Sequence, residues 1–349
     1  MCHATFVGTG VPYVGGLRSE VTHPAYLLLS NLIIIGAGFL NVLCPQAVAI
    51  SQEKQVLEPK KSFVAHKDTV RGLAFDPSGK YLATGGDDGK IIIWDLAMRS
   101  EHVVLEGHSK PVRGLCYFQD GSRICSANAD HTVKVWSVRE QEEVLCLQGH
   151  EGPVYCVASN YDGTLIASGS GDKTVRIWDG KSGKELLKLK GHSWIVHGVD
   201  FSRDGKFLAS ASADGTIRLW NAKDGTVVAT FEGHKFFAYA VAFSPDGSIV
   251  VSAGSDGTVR IWSIAKRECA FVCEGHSDEV NSIAYHPSGK YVVSVSLDKT
   301  VRIWETATGK QLESVSKQGS GLVVRFNASG SEVAVGGFDS IVRILQVHD

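Results

Sequence analysis

Six histidines, His66, His108, His150, His192, His234 and His276, stand 42 residues apart, each directly after a glycine or an alanine. Six tryptophans keep the same period: Trp94, Trp136, Trp178, Trp220, Trp262 and Trp304. A fixed period of this length means one small supersecondary unit copied in tandem. No single copy can bury its apolar face alone, so the copies must stack on one another. Such arrays present extended surfaces to partners more often than they enclose a pocket for chemistry.

A chain of 349 residues has the length of two average domains. The repeat runs unbroken from about residue 62 to the end and argues for one large closed domain instead. The formal net charge is −2 and the pI about 6.7, so no basic field draws the chain to phosphates, and nucleic acid is not an expected partner. The 38 glycines suit many short strands joined by tight turns.

The eight cysteines are Cys2, Cys44, Cys116, Cys125, Cys146, Cys156, Cys269 and Cys273. They form no C-x-x-C pair, and neither a metal nor a cofactor is expected. Cys116 and Cys125 fall on the two arms of one predicted hairpin as cross-strand neighbours. They read as small buried thiols, with a disulfide as the alternative. Cys269 and Cys273, four apart in a strand-like run, are expected to share a face. Unpaired thiols favour a reducing compartment.

One repeat, Leu189 to Trp220, predicts the local structure of all. WIVHGVDF broadly alternates apolar and polar residues; SRDGK carries turn chemistry, with Gly205 free to take positive φ; FLASAS is a second strand. ADGT turns on Asp-Gly, and TIRLW is a third strand with Ile217 and Leu219 on one face and Arg218 on the other. After NAKDG, TVVATF supplies a fourth. Each unit is thus a four-stranded antiparallel meander.

The pattern of Gly-His, a downstream Asp-Gly turn and a strand of the form [V/I]-[R/K]-[I/V/L]-W resembles the WD40-repeat family, whose fold is a β-propeller. The resemblance covers about 285 of the 349 residues. It implies an all-β, seven-bladed propeller over residues 61–349, preceded by an extension over 1–60. The seventh unit is degenerate: Asp339 and the IVRIL strand survive, but Leu345 replaces the tryptophan, Val335 the serine, and Lys317 stands where the histidine belongs. The chain ends just after the third strand of that unit. Lys61–Val64 are expected to supply the fourth and so remove the open sheet edges.

Each strong repeat holds a histidine, a serine or threonine, and an aspartate, the ingredients of a nucleophilic triad. The sets are His66/Thr84/Asp88, His108/Ser126/Asp130, His150/Ser168/Asp172, His192/Ser210/Asp214, His234/Ser252/Asp256 and His276/Ser294/Asp298. An enzyme needs one active site, and six copies at a fixed period are not expected of catalysis. The tryptophan of each repeat completes a chain of donors and acceptors in which every buried polar group finds a partner. The resemblance implies the same four-residue network within a blade. These residues are therefore expected to be structural, and no catalytic residue is expected.

The resemblance also implies that partners meet the narrow face, at three positions per blade: three and five residues after the histidine, and the residue before the turn aspartate. Blade by blade these are Thr69, Arg71 and Asp87; Pro111, Arg113 and Ala129; Pro153, Tyr155 and Gly171; Ile195, His197 and Ala213; Phe237, Tyr239 and Ser255; Glu279, Asn281 and Leu297; and in the seventh, Leu322 and Phe338. Phe236 and Trp194 lie close by. Tyrosine, tryptophan and arginine dominate binding hot spots. A mouth lined by rings and by Arg71 and Arg113 suits a peptide carrying an apolar anchor and a carboxylate. The competing expectation is that several of these rings pack into neighbouring blades.

Residues 21–52 contain no Asp, Glu, Lys or Arg, and Ala25 to Cys44 form a 20-residue apolar run bracketed by Pro24 and Pro45. As a helix this run would span roughly 30 Å, a bilayer core. Three readings stand: a membrane anchor, a secretory signal ending at Ala47-Val48-Ala49, or an apolar strap or presequence that docks on the propeller or another subunit, or is removed. Lys54, Lys60 and Lys61 against Arg18 favour the propeller on the cytoplasmic side of a membrane; cleavage after Ala49 would export it. The function expected is a non-catalytic protein-interaction scaffold for protein or peptide partners in a multi-subunit complex. The alternatives are an exported ligand-binding propeller and an enzyme with a central-channel site.

Overall fold

In the computed structural model the described residues are 57–316 and 319–348. They form seven four-stranded antiparallel sheets and no helix. Blades 1 to 6 occupy 70–105, 112–147, 154–189, 196–232, 238–273 and 280–316, each a meander running outward from an inner strand. In blade 4 the strands are Val196–Phe201, Phe207–Ser212, Thr216–Asn221 and Val227–Glu232. Gly205 and Gly215, at φ 69° and 83°, take the left-handed conformation that the Asp-Gly turns between these strands require.

Blade 7 takes three strands from the C-terminus, Gly321–Phe326, Glu332–Gly337 and Ile341–Val347, and its outermost strand from Leu57–Val64. The closing strand pairs antiparallel with Ile341–Val347, from Leu57 opposite Val347 to Val64 opposite Ile341. It begins four residues before the expected Lys61. Leu57 is fully buried against Leu345 and Val347, which draws the extra residues into the sheet. A bulge between Pro59 and Lys61 turns Lys60 out to Glu332 and Gln346, 2.5 and 2.9 Å away.

The core is not one mass but seven apolar clusters, one between each pair of neighbouring blades. Ala211, Ile217, Leu219 and Phe231 of blade 4 meet Val241, Phe243 and Trp262 of blade 5. The seventh cluster joins Val323, Ala334, Val342 and Ile344 of blade 7 to Val70, Leu73 and Trp94 of blade 1, and so closes the ring. The six repeat tryptophans are buried with the strands on both sides.

Cys116 and Cys125 are opposite one another in register, as expected, and both are free thiols. Cys269 and Cys273 do not share a face. The strand pairing slips between Ile261 and Trp262, and one bulged residue reverses the alternation. Cys269 packs toward blade 4 and Cys273 toward blade 6. The 25–44 run, the Ala49 cleavage motif, Lys317, Cys2 and Cys44 lie outside the described residues. Among those described, no helix is long and apolar enough to cross a membrane, and no cluster of ligating side chains fits a metal.

Candidate functional site

The repeated polar quartet forms a hydrogen-bond chain in each of blades 1 to 6. In blade 4, Trp220 Nε1–H donates to Ser210 Oγ at 2.8 Å, Ser210 Oγ–H to His192 Nε2 at 2.8 Å, and His192 Nδ1–H to Asp214 at 2.9 Å. Blade 1 repeats it with Trp94 to Thr84 at 3.0 Å, Thr84 to His66 at 2.8 Å and His66 to Asp88 at 2.9 Å. In blade 2 Ser126 accepts from Trp136 at 2.8 Å and donates to His108 at 2.7 Å. In blade 3 Ser168 accepts from Trp178 and donates to His150, both at 2.8 Å. Ser252 of blade 5 does the same between Trp262 and His234, again at 2.8 Å, and Ser294 of blade 6 between Trp304 and His276 at 2.7 and 2.8 Å. Asp214 also accepts from the backbone N–H of Ser193 and from the N–H and hydroxyl of Thr216.

Thr84, Ser126, Ser168, Ser210, Ser252 and Ser294 are each 0% exposed. Their hydroxyls lie in the blade interior, shut between Trp and His. In blade 7, Val335 and Leu345 put apolar packing in place of the chain.

Burial raises Asp298, but the bonds from Thr300 and His276 outweigh it and hold the carboxyl down to about 2. Burial pulls His108 and His276 below the ordinary 6.5 against the opposing pull of their aspartates. The sign follows from proton uptake by the unfolded chain. The histidine contribution is complete above about pH 6.5 and is lost as the pH falls below it. The Asp298 contribution is complete above about pH 4 and is lost toward pH 2. Asp200, raised by burial to about 6, acts in the opposite sense and is outnumbered. Calorimetry should therefore find a melting temperature that falls in acid in two stages, the first beginning near pH 6.5 and the second below about pH 4. A melting temperature flat from pH 7 to 4 contradicts this.

The mouth is built by a different device. In all seven innermost strands the pairing slips at one residue, and that residue is the one five after the histidine: Arg71, Arg113, Tyr155, His197, Tyr239, Asn281 and, in blade 7, Leu322. A bulge re-aims its side chain, and here all seven border one central channel of about 610 Å³. The other two positions of each blade meet through the backbone, as in Asp87 N–H to Thr69 O and Ala129 N–H to Pro111 O, both 3.0 Å. Gly171 pairs likewise with Pro153, Ala213 with Ile195, Ser255 with Phe237, Leu297 with Glu279, and Phe338 with Ser320. The bulges left no trace in the hydrophobic alternation. Their signal is the recurrence of large or charged residues at one position before a run of small ones.

Half of the mouth is a continuous line of rings. Arg113 lies 4.8 Å over Tyr155; Tyr155 and His197 meet edge to face at 4.9 Å, His197 and Tyr239 at 5.2 Å, and Phe237 follows at 6.1 Å. Burial, with Arg113 nearby, lowers His197 to about 4, so its ring is neutral at pH 7. Phe236, Trp194, Phe338 and Phe237 are exposed, at 65%, 55%, 52% and 42%; Tyr155 and Tyr239 are half-buried and Thr69 is buried.

The two arginines differ. Arg71 forms a two-pronged ion pair with Asp87, with Nη2 to Oδ2 at 2.8 Å, so it is not an open carboxylate anchor. Arg113 has no carboxylate partner among the described residues, and its Nε is buried without an acceptor. Tyr239 donates to Glu279 at 3.0 Å, and Asn281 to the Gly321 carbonyl at 3.1 Å.

A family model described as "IFT122 first beta-propeller" matches residues 195–349, and one described as "WD domain, G-beta repeat" matches 57–95, 99–137 and 141–179. The ribosome biogenesis protein erb1 of Neosartorya fischeri is 62% identical over 34 residues. Its counterparts in Aspergillus niger and Botryotinia fuckeliana are 59% identical over 34 residues. Each match covers 10% of this chain and 4% of the relative.

Proposed function

Because this chain belongs to the WD40-repeat β-propellers, a family typical of protein-interaction scaffolds, we propose that it is a non-catalytic scaffold. Its narrow face takes a protein or peptide partner within a multi-subunit assembly. The observation that carries this reading is the row of bulge-mounted side chains Arg113, Tyr155, His197 and Tyr239 at the mouth, beside the exposed Trp194, Phe236 and Phe237. Exposed rings clustered at one rim mark interaction surfaces. An unpaired guanidinium stacked on a ring selects a carboxylate. The partner is therefore an acidic segment with an aromatic or leucine anchor. The 34-residue match to a ribosome biogenesis protein is shorter than one repeat and supports the repeat rather than that role.

The proposal that the quartets are structural supports the non-catalytic reading, since their hydroxyls face inward. Fluorescence polarisation with peptides pairing Asp or Glu with Phe or Leu tests the site. Arg113→Gln and Phe237→Ala should each weaken binding about 30-fold, the effect of a hot-spot residue. Arg71→Gln should change it less, because Asp87 already holds that side chain. Equal affinity for wild type and both Arg113→Gln and Phe237→Ala moves the binding surface away from this face.

A further inference from the structure

Three residues deeper than the mouth, the channel wall breaks its repeat. At the level of the eighth residue after each histidine, alanine stands in blades 1, 3, 5 and 6 and Cys116 in blade 2. Asp200 holds that level in blade 4, and Arg325 in blade 7, opposite Ala334 as Ala284 is opposite Val293. Asp200 and Arg325 both border the channel. Arg325 Nη1 donates to the Val324 carbonyl at 2.7 Å and to Ser282 Oγ at 3.3 Å. No acceptor among the described residues meets its Nε or Nη2, and no ion pair closes between it and Asp200. The Nε–Nη2 edge takes a carboxylate through two parallel bonds. Asp200 accepts from the Phe243 N–H at 2.8 Å, and burial raises it to about 6 against the weaker pulls of that N–H and of the Arg325 charge, which acts through space without an ion pair.

Two opposite charges left apart in one cavity of about 610 Å³ are matched by a ligand carrying both charges itself. A plain anion would face Asp200, and a plain cation would face Arg325. We propose that the channel binds a small zwitterion of amino-acid type, with its carboxylate on the Nε–Nη2 edge of Arg325 and its ammonium on Asp200. This is a small-molecule site, one level deeper in the same channel that the mouth residues border.

Titration calorimetry on the full chain tests it with ω-amino acids of rising length, from glycine to 6-aminohexanoate, and with acetate and methylammonium as single-charge controls. One chain length should bind saturably, and Asp200→Ala or Arg325→Ala should each weaken it at least about tenfold, as loss of one partner of a charge pair does. Asp200→Ala removes the acceptor of the Phe243 N–H, and Arg325→Ala removes a donor to Ser282 and the Val324 carbonyl, so calorimetry fixes the melting temperature of each variant and binding is read well below it. The proposal is overturned if no member of the series binds, if affinity is unchanged in the two variants, or if acetate binds as tightly as the best amino acid.

Discussion

A chain that starts at Ala65, without the closing strand, should lose cooperative folding and elute as aggregate, whereas one that starts at Leu57 should melt in a single sharp transition. The reason is that Leu57–Val64 touches three blades at once. It pairs along the whole of Ile341–Val347 in blade 7. The Leu57 N–H reaches Glu313 of blade 6 at 2.8 Å. Lys61 Nζ reaches the Leu96 carbonyl of blade 1 at 2.8 Å, and Phe63 packs on Trp94 with centroids 4.7 Å apart. Without it, Ile341–Val347 becomes a bare apolar edge, a template for pairing with another chain. Blade 7 lacks the polar quartet and is held by its apolar seams with blades 6 and 1, to which the closing strand itself contributes Leu57 and Phe63. Size-exclusion chromatography and calorimetry read the result. A cooperative transition within a few degrees of wild type for the Ala65 chain contradicts the closure described above.

The second large effect lies inside a blade. Trp220→Ala should cost about 3–5 kcal/mol, the range for emptying a buried tryptophan site. Trp220 is 1% exposed and fills the seam between blades 3 and 4. For a domain of this size that corresponds to a fall of roughly 10 °C in melting temperature. Asp214→Ala removes no comparable volume but strips acceptors from His192, Ser193 and Thr216. Leaving buried donors without a partner costs about 1–3 kcal/mol. Differential scanning calorimetry should rank the two in that order. If Asp214→Ala left the melting temperature unchanged while removing an activity, the quartet would have to be read as a site of chemistry.

Blade 7 illustrates why the orphan, not the absence, is the costly state. There the serine and tryptophan positions are Val335 and Leu345, both buried in apolar contact, and the blade needs no bond to satisfy them. Replacing both partners by apolar side chains is close to neutral, whereas removing one is not.

The 42-residue period made the wheel legible, because each repeat carries its own turn glycines, alternation and quartet. In blade 4 the strand boundaries fall within two residues of those read from FLASAS, TIRLW and TVVATF. Pairing of the two chain ends was legible because the last unit lacks a strand; its length was not, since Leu57 joins by burial against side chains about 290 residues away. The mouth positions came from family resemblance, but what aims them is a bulge, and one inserted residue leaves no mark on a hydrophobic pattern. The same blind spot hid the separation of Cys269 from Cys273. The pairing of Arg71 with Asp87 follows from two residues 16 apart meeting across a loop, which spacing alone does not weigh. Asp200 and Arg325 stood in plain view as departures from alanine. A reading guided by what recurs passes over what does not.

Two properties measured together on two kinds of variant test the division of labour most directly: melting temperature and peptide affinity, for Arg113→Gln with Phe237→Ala and for Asp214→Ala. The mouth variants should keep the wild-type melting temperature and lose the peptide. The quartet variant should melt several degrees lower and, below its transition, bind the peptide with wild-type affinity. The reverse pattern, with binding lost at the quartet and stability lost at the mouth, contradicts a wheel held by its quartets and read through its mouth.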